Sequence, residues 1–509
     1  MPRWDRNVAE CLGRGLAIAL TLVALGCSGD RTVRMVLADS VSTLDPQHHN
    51  EGTAWSVQAN VYDALVSFSS DLELRPALAV SWESVGGNSL RFHLRDRVVF
   101  HDGAALEAAD VVATYERAQT DPLCAIRHQL VGITRVVAED ARTVRIDTAE
   151  AAPALLNRLV FLRILPRKHA VLATIDRPIG TGSYRFAARD DSGAIDLVAF
   201  DGWHGRPRIP RIRVSFIEDD RRRLAELTAG RADLVDFVPP DDLAELSAQP
   251  GLRVELQPSL AVRILVVNSS AAPGVAGRAL ADPRVRRAML MAMNRLAWAG
   301  TIVRGSATVA TQYVHPSVFG FDPTIEATPF DPPAARRLLA EAGVGKGFEA
   351  TLGFGRGAEG WATALAADLA RVGIKLQLRV LPFPTLMEQS HARTLPLMLF
   401  SRACTTGDAS EFLDSSVHTP SAKGGFGAEN YGGFSNLELD RTLEAANREN
   451  DLERRRALLQ HAQRLVLADL PVLPLVVQWS HIGLSSRIEI PLRNDGWLLA
   501  AGFRWRSGR

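Results

Sequence analysis

The chain predicts an α/β protein of more than one domain, and three observations carry that reading. It has 509 residues, 47% hydrophobic and 23% charged, whereas single cores stop growing near roughly 250–300 residues. Residues 31–260 are rich in hairpin signals with a few helices between them. From about 261 strands and helices alternate, and 348–380 reads as strand, helix, strand, the signature of neighbouring parallel strands.

In chain order, the first thirty residues come first and differ from the rest. Arg3, Arg6 and Arg14 precede an apolar run over 16–25 that ends at Gly26, Cys27 and Ser28. The run is shorter than the about 20 residues of a membrane span but suits a secretory signal peptide. A small residue directly before Cys27 fits a lipoprotein cleavage box, so 1–27 reads as a leader with Cys27 as the lipidated residue. Ala24 and Leu25 depart from the usual box, which leaves ordinary signal-peptidase cleavage open.

In the first half, Leu90, Phe92 and Leu94 alternate after the turn Gly86-Gly87-Asn88, a hairpin signal. Val136-Val137 faces Val144–Ile146 around Asp140-Ala141, and Tyr184–Phe186 faces Ile195–Val198 across Asp191-Ser192-Gly193. Residues 107–118 form a helix with Val111, Val112 and Tyr115 on one face. In the second half, a strand over 262–268 leads to a helix over 283–295, with Asp282 as N-cap and Pro283 at the first helical position. A strand over 348–354, a helix over 361–372 and a strand over 374–380 follow. A helix over 452–468 ends before the apolar stretch 470–474, and strands continue to the C-terminus.

Composition and motifs exclude several classes. The 58 basic and 57 acidic side chains nearly cancel to +1, and no run of five or six like charges occurs, which argues against nucleic-acid binding. Only Lys168, Lys346, Lys375 and Lys423 are lysines, so arginine supplies the positive charge. Outside the leader stand Cys124 and Cys404, read as unpaired thiols, and no clustered zinc-ligand spacing is present. His48-His49 near Asp45 reads as a solvated loop pair, and His101-Asp102-Gly103 as a turn.

The sequence Gly355-Arg356-Gly357-Ala358-Glu359-Gly360 matches G-x-G-x-x-G between a strand and a helix. The acid expected about twenty residues on is missing, since 377–382 holds no Asp or Glu, so a tight turn is the reading and no cofactor is expected. Arg356, beside a helix start, is either an anion site or a solvated loop arginine. Gly345-Lys346-Gly347 is not a phosphate loop, and no G-x-S-x-G elbow occurs.

An ordered series of segments resembles the family 5 solute-binding proteins of bacterial ABC importers, which take up oligopeptides, dipeptides, nickel chelates and some sugars. The series begins with Ser42-Thr43-Leu44-Asp45-Pro46 and Asn60-Val61-Tyr62-Asp63-Ala64-Leu65-Val66. It continues with Pro76-Ala77-Leu78-Ala79, Ser81-Trp82-Glu83, Val99-Phe100-His101-Asp102-Gly103 and Ala109-Asp110-Val111-Val112. Ile179-Gly180-Thr181-Gly182-Ser183-Tyr184 follows, with Ser183 where the family usually has proline. Asp282-Pro283-Arg284-Val285-Arg286-Arg287-Ala288 and Phe330-Asp331-Pro332 complete it. The matches keep family order from about 33 to 480.

The resemblance implies a periplasmic-binding-protein-like two-lobed clamp of type II, with an additional domain in lobe one. It places lobe one at 28–65, 179–262 and 479–509, the additional domain at 66–178, and lobe two at 263–478. The implied function is capture of a peptide-like or other small polar solute between the lobes and its delivery to a membrane permease and ATPase, without chemistry. The protein is expected to be an extracytoplasmic monomer, periplasmic or lipid-anchored.

By the same resemblance two segments border ligand: the loop Asn50-Glu51-Gly52-Thr53-Ala54-Trp55, and Arg402-Ala403-Cys404-Thr405-Thr406-Gly407-Asp408. Peptide-binding relatives carry a tryptophan where Arg402 stands, and where Thr405 stands an aspartate that pairs with the peptide's amino terminus. Either the ligand is not an ordinary free-amine peptide, or Asp408 or Glu51 replaces that aspartate. Arg402 and Arg356 point to an anionic ligand, while Arg402 could instead pair internally with Asp408 or Glu411. Other classes remain: an exported hydrolase using Cys404 with His48 or His49, and a sensory binding protein that docks on a receptor.

Overall fold

A computed structural model of the chain describes residues 31–49, 51–270, 274–421 and 425–506. The leader with Cys27, and Asn50, lie outside the described residues. Two large sheets organise the fold. The first has seven strands in the spatial order Leu252–Gln257, Ser480–Ser485, Leu234–Val235, Thr32–Leu37, Arg211–Phe216, Ile195–Ala199 and Tyr184–Arg189. Its central strand Thr32–Leu37 runs parallel to Arg211–Phe216 and Leu234–Val235. Alternation along it sends Val33, Met35 and Leu37 to one core with Tyr62, Leu197 and Ile212. Val36 points to the other face, against Leu224, Leu227 and Val235, so both faces are covered.

The second sheet has six strands, Ala307–Val309, Val472–Gln478, Ala261–Val267, Leu397–Ala403, Phe348–Phe354 and Ile374–Val380. Phe348–Phe354 is parallel to both Ile374–Val380 and Leu397–Ala403. Between the first two runs the helix Glu359–Ala370, which buries Trp361, Leu365 and Leu369 against the sheet. The helix expected over 283–295 is two helices, Pro283–Ala292 and Arg295–Thr301. Asn294 makes the break: its side chain accepts the Ala297 N–H at 3.1 Å while its own N–H donates to Asp368 Oδ2 at 2.8 Å. An N-cap inside an apolar period ends one helix and starts another.

A third, antiparallel sheet orders Ala79–Val85, Ser89–Leu94, Thr143–Thr148 and Ile133–Ala138. The helix Ala108–Thr120 packs on it, opened by a capping box between Glu107 and Asp110. The three expected hairpins pair: Val85 faces Ser89, Val136 faces Ile146, and Tyr184 faces Ala199.

The chain crosses between the two large sheets at two adjacent places. Gln257 pairs with Ser480 in the first sheet and Val262 with Val477 in the second. Only 258–260 and Trp479 lie between the strands of the two sheets. A large apolar cluster also joins the four-stranded part to the six-stranded sheet, bringing Trp55, Phe92 and Phe161 into one core with Val262 and Phe412.

Close backbone contact fixes the Gly180-Thr181-Gly182 segment against Val61. The Gly182 N–H donates to Val61 O at 2.9 Å, and a Cβ on Gly182 would fall 2.5 Å from the Val61 carbonyl carbon. Gly182→Ala is therefore expected to cost about 1–3 kcal/mol of stability. Thermal unfolding checks this: a clear drop in Tm is expected, and an unchanged Tm contradicts the contact.

Candidate functional site

In open α/β sheets ligands bind beyond the carboxyl ends of parallel strands. In the six-stranded sheet those ends lie beside the crossing segments, because Ala403, the last residue of its strand, pairs with Ala261. The loop that follows, 404–408, meets the four-stranded part. Asn157 Nδ2 donates to Thr406 O at 2.7 Å, and the side chains of Leu72 and Asn157 lie close against Gly407.

Most charges of this loop are satisfied inside the protein. Asp408, 3% exposed, receives a bidentate pair from buried Arg455, Nη1 to Oδ2 at 2.5 Å and Nη2 to Oδ1 at 2.9 Å. The Ser410 N–H adds a third hydrogen bond at 3.0 Å. Asp408 is thus not open to a ligand ammonium, which corrects the expectation that it replaces the missing aspartate. Arg402, half-buried, pairs with Glu429 rather than with Asp408 or Glu411. The Glu411 carboxylate accepts from the Thr405 hydroxyl at 3.2 Å, the Thr406 N–H at 2.8 Å and the Thr406 hydroxyl at 2.7 Å. Burial pushes the Glu411 carboxyl upward, against these hydrogen bonds and the Arg402 charge. Thr405 therefore orients Glu411 in this structure.

Cys404 is buried, and burial pushes its thiol well above the ordinary range. Cys124 is half-buried, and both cysteines are free. Arg356 is exposed and makes no hydrogen bond or ion pair with the described residues. Gly357 takes a left-handed φ of +81° in the turn that opens the helix at Glu359.

The 51–55 segment is a helix start rather than a loop: Glu51 is the N-cap of Gly52–Gln58. Glu51 and Gly52 are exposed and Thr53 is partly so, while Ala54 and Trp55 are buried. Trp55 packs on Phe161 and Trp497, ring centroids 4.8 and 6.4 Å away, and its indole N–H has no partner among the described residues. The histidine pair is not solvated, a second correction. His48 hydrogen-bonds Asp121 at 2.6 Å beside the buried Asp45–Arg117 pair, and His49 Nε2 meets Gln58 at 2.5 Å. The Asp45-Pro46 turn is tied to the helix Ala108–Thr120 by these charges, so the pair binds two parts of the fold together.

Among the described residues no group of three or more His, Cys, Asp or Glu side chains could hold a metal ion, and no helix is long and apolar enough to cross a membrane. Two surface hollows lie elsewhere. One of about 640 Å³ lies between the helix Ala108–Thr120 and the strand Ile133–Ala138, and one of about 410 Å³ is lined by His391, Arg393 and Tyr431.

Two α/β lobes joined by paired crossing strands, with a helix-and-sheet extension, define a solute-capturing clamp. Residues 73–424 match the bacterial extracellular solute-binding proteins, family 5 (middle), and the chain belongs to that family. It is a substrate-binding component of an ABC importer. It is 28% identical to heme-binding protein A of Haemophilus influenzae over 86% of each chain. It is 26% identical to the glutathione-binding protein GsiB of Salmonella typhimurium, covering 91% of this chain and 92% of that one. It shares its fold with the ABC transporter-associated periplasmic binding protein DppA of Helicobacter pylori in complex with the peptide STSA, with a TM-score of 0.78, 22% identity, and coverage of 94% and 98%.

Asp414 offers a pH-dependent test of the buried charges around Asp408 and Arg455. Its Oδ2 accepts from Asn447 at 2.8 Å, Oδ1 has no partner among the described residues, and Asp408, Arg455 and Arg158 lie around it. Burial raises its carboxyl to about 7, with Asp408 adding to the rise and Asn447, Arg455 and Arg158 opposing it. A raised folded pKa favours the fold while the group is protonated, so this contribution is present below the unfolded value of about 3.9 and lost as pH rises through about 7. Asp414→Asn is expected to gain up to roughly 3 kcal/mol relative to wild type on going from pH 5 to pH 8. Unfolding at both pH values measures it, and a pH-independent difference contradicts the assignment.

Proposed function

We propose that the chain captures a small peptide-like or polar solute bearing carboxylates, recognised without the ammonium contact that peptide binders use. The occupied carboxylates Asp408 and Glu411, at the end of the 402–408 loop and in the helix Ser410–Ser416 that follows it, carry this reading. Asp408 is held by Arg455, Glu411 by Thr405 and Thr406, and the position of the ammonium-binding aspartate is Thr405. A buried ammonium there would lack a counter-charge, at a cost of several kcal/mol. Exposed Arg356, and Arg402 once released from Glu429, offer the opposite charge. The relatives named for heme and glutathione are named for compounds that both carry carboxylates.

The state of Cys404 speaks against a hydrolase built on that thiol. A buried thiol pushed upward is not the thiolate that a hydrolase of this kind would need. The lobes divide the chain at 28–65, 179–262 and 479–509 against 263–478, with 66–178 as the additional domain. Glu51, Gly52, Thr53, Trp55, Ala403 and the 404–406 backbone border the solute when the lobes close on it. The partner is an inner-membrane permease with its ATPase, the protein is a monomer, and a lipid on Cys27 holds it at the cell membrane.

Mass spectrometry of solute released from the purified protein, followed by thermal-shift titration, tests this reading. A solute at 100 times its Kd adds about 2.7 kcal/mol. Glutathione and other carboxylate-bearing solutes are expected to stabilise the protein, and acetylating their amine to change Kd less than about threefold, below ~0.7 kcal/mol. Tight binding of plain peptides that is abolished by blocking the amine contradicts the reading. The intact mass of membrane-extracted protein reports Cys27: a lipidated amino terminus is expected, and an unmodified soluble form contradicts the anchor.

A further inference from the structure

Arg263 interrupts an otherwise apolar strand, Ala261–Val267. Its guanidinium lies over the Trp361 ring, 5.0 Å from the centroid. Nε and Nη2 donate to one oxygen, Gln478 Oε1, at 3.3 and 3.0 Å. A guanidinium carries five N–H donors, and here one neutral amide oxygen serves them. Nη1 has no partner among the described residues and is not among the sealed, unpartnered atoms. Burial alone acts on the group and pushes it down to about 10.

Most of the arginines buried more deeply than Arg263 are satisfied differently. Arg117, Arg223 and Arg455 have Asp45, Asp220 and Asp408. Arg295, also without a carboxylate, donates to the carbonyls of Ala310, Pro474 and Thr328. Arg263 has neither arrangement, although an uncompensated buried cation is costly. Arg163, over the Trp497 ring at 5.1 Å, shares that lack, but its unpartnered Nη2 is sealed inside the protein whereas the Arg263 Nη1 is not.

Its position is that of a ligand residue. Arg263 pairs with Ser401 across the strand boundary, and Ser401 is exposed. Phe354 stands level with Leu399 in parallel register, so two residues further the chain carries Arg356 toward the level of Ser401. Gln478 directly precedes the crossing residue Trp479. This is the carboxyl end of the parallel strands, beside the hinge.

We propose that Arg263 is a carboxylate-binding residue of the solute site, its open Nη1 edge receiving an anionic group that Arg356 meets from the neighbouring strand end. The proposal rests on the reading of the chain as a binder of carboxylate-bearing solutes. Trp361 and Gln478 hold the guanidinium plane in place before the solute arrives, so little rotamer freedom is lost on binding. The missing counter-charge is then supplied by the ligand.

Arg263→Met keeps an unbranched apolar stem over Trp361, and Arg263→Lys keeps the charge without the planar fork. Calorimetry with glutathione and with its diethyl ester is the binding arm. Glutathione is expected to bind Arg263→Met roughly tenfold or more weakly than wild type and Arg263→Lys at an intermediate level, because a charge-assisted pair is lost. The diester is expected to bind wild type and Arg263→Met alike. The unliganded arm is Tm: Arg263→Met should melt at or above wild type, since it removes an uncompensated buried charge. Equal glutathione affinity in both proteins, or a fall of more than about 4 °C in unliganded Tm, overturns the proposal. If glutathione and the wider panel leave wild type unshifted, the functional reading fails by itself, and the unliganded Tm still decides whether Arg263 is held for structure or for ligand.

Discussion

The protein depends on two short crossings, 258–260 and Trp479, lying side by side between its two large sheets. The pairs Gln257 with Ser480 and Val262 with Val477 tie the strands on either side of the crossings. Each sheet keeps a core of its own, one around Tyr62 and Ile212 and the other around Trp298 and Leu352. A rotation about the crossings leaves those two cores intact and opens instead the shared cluster around Trp55, Phe161 and Phe412. Hinge closure of this type converts a ligand's differential affinity into a population shift. The solute is sensed where the two lobes meet because the contacts there change most when they separate.

Electrostatics decides what such a clamp can hold. Lobe two uses its own arginine and hydroxyl groups to satisfy Asp408 and Glu411, which fixes the 404–408 loop and removes two carboxylates from recognition. Arg402 is partly engaged by Glu429. The charges left open at the sheet ends are cationic, Arg356 and Arg263. On the proposed reading, satisfied Asp408 and Glu411 beside open guanidiniums favour anions despite exposed Glu51, and exclusion of water on closure strengthens that preference.

Much of the fold was legible in the sequence because local rules and tertiary packing agreed. The strands 348–354 and 374–380 have the expected bounds, since Gly347 and Gly355 bracket the first and Gly373 and Pro382 the second. The helix at 283 failed at its end, where Asn294 caps a new helix with help from Asp368, a partner 74 residues away. The site was less legible for the same reason. Arg455 is 47 residues from Asp408 and Glu429 is 27 from Arg402, and no local pattern announces such pairs. His48 was read as solvated because adjacent polar residues suggest a loop, whereas the fold buries it beside Asp45 and Asp121. Arg263 did leave a signal, an arginine inside the apolar run 261–267, which a strand buried on both faces admits only with a partner or a purpose.

The account stands on closure of two lobes over a solute. Small-angle scattering of the mature protein, free and then saturated with the solute that co-purifies with it, measures this directly. The account predicts a smaller radius of gyration in the loaded protein, with the free form sampling parted lobes about the crossings. An identical radius of gyration with and without saturating solute would contradict it.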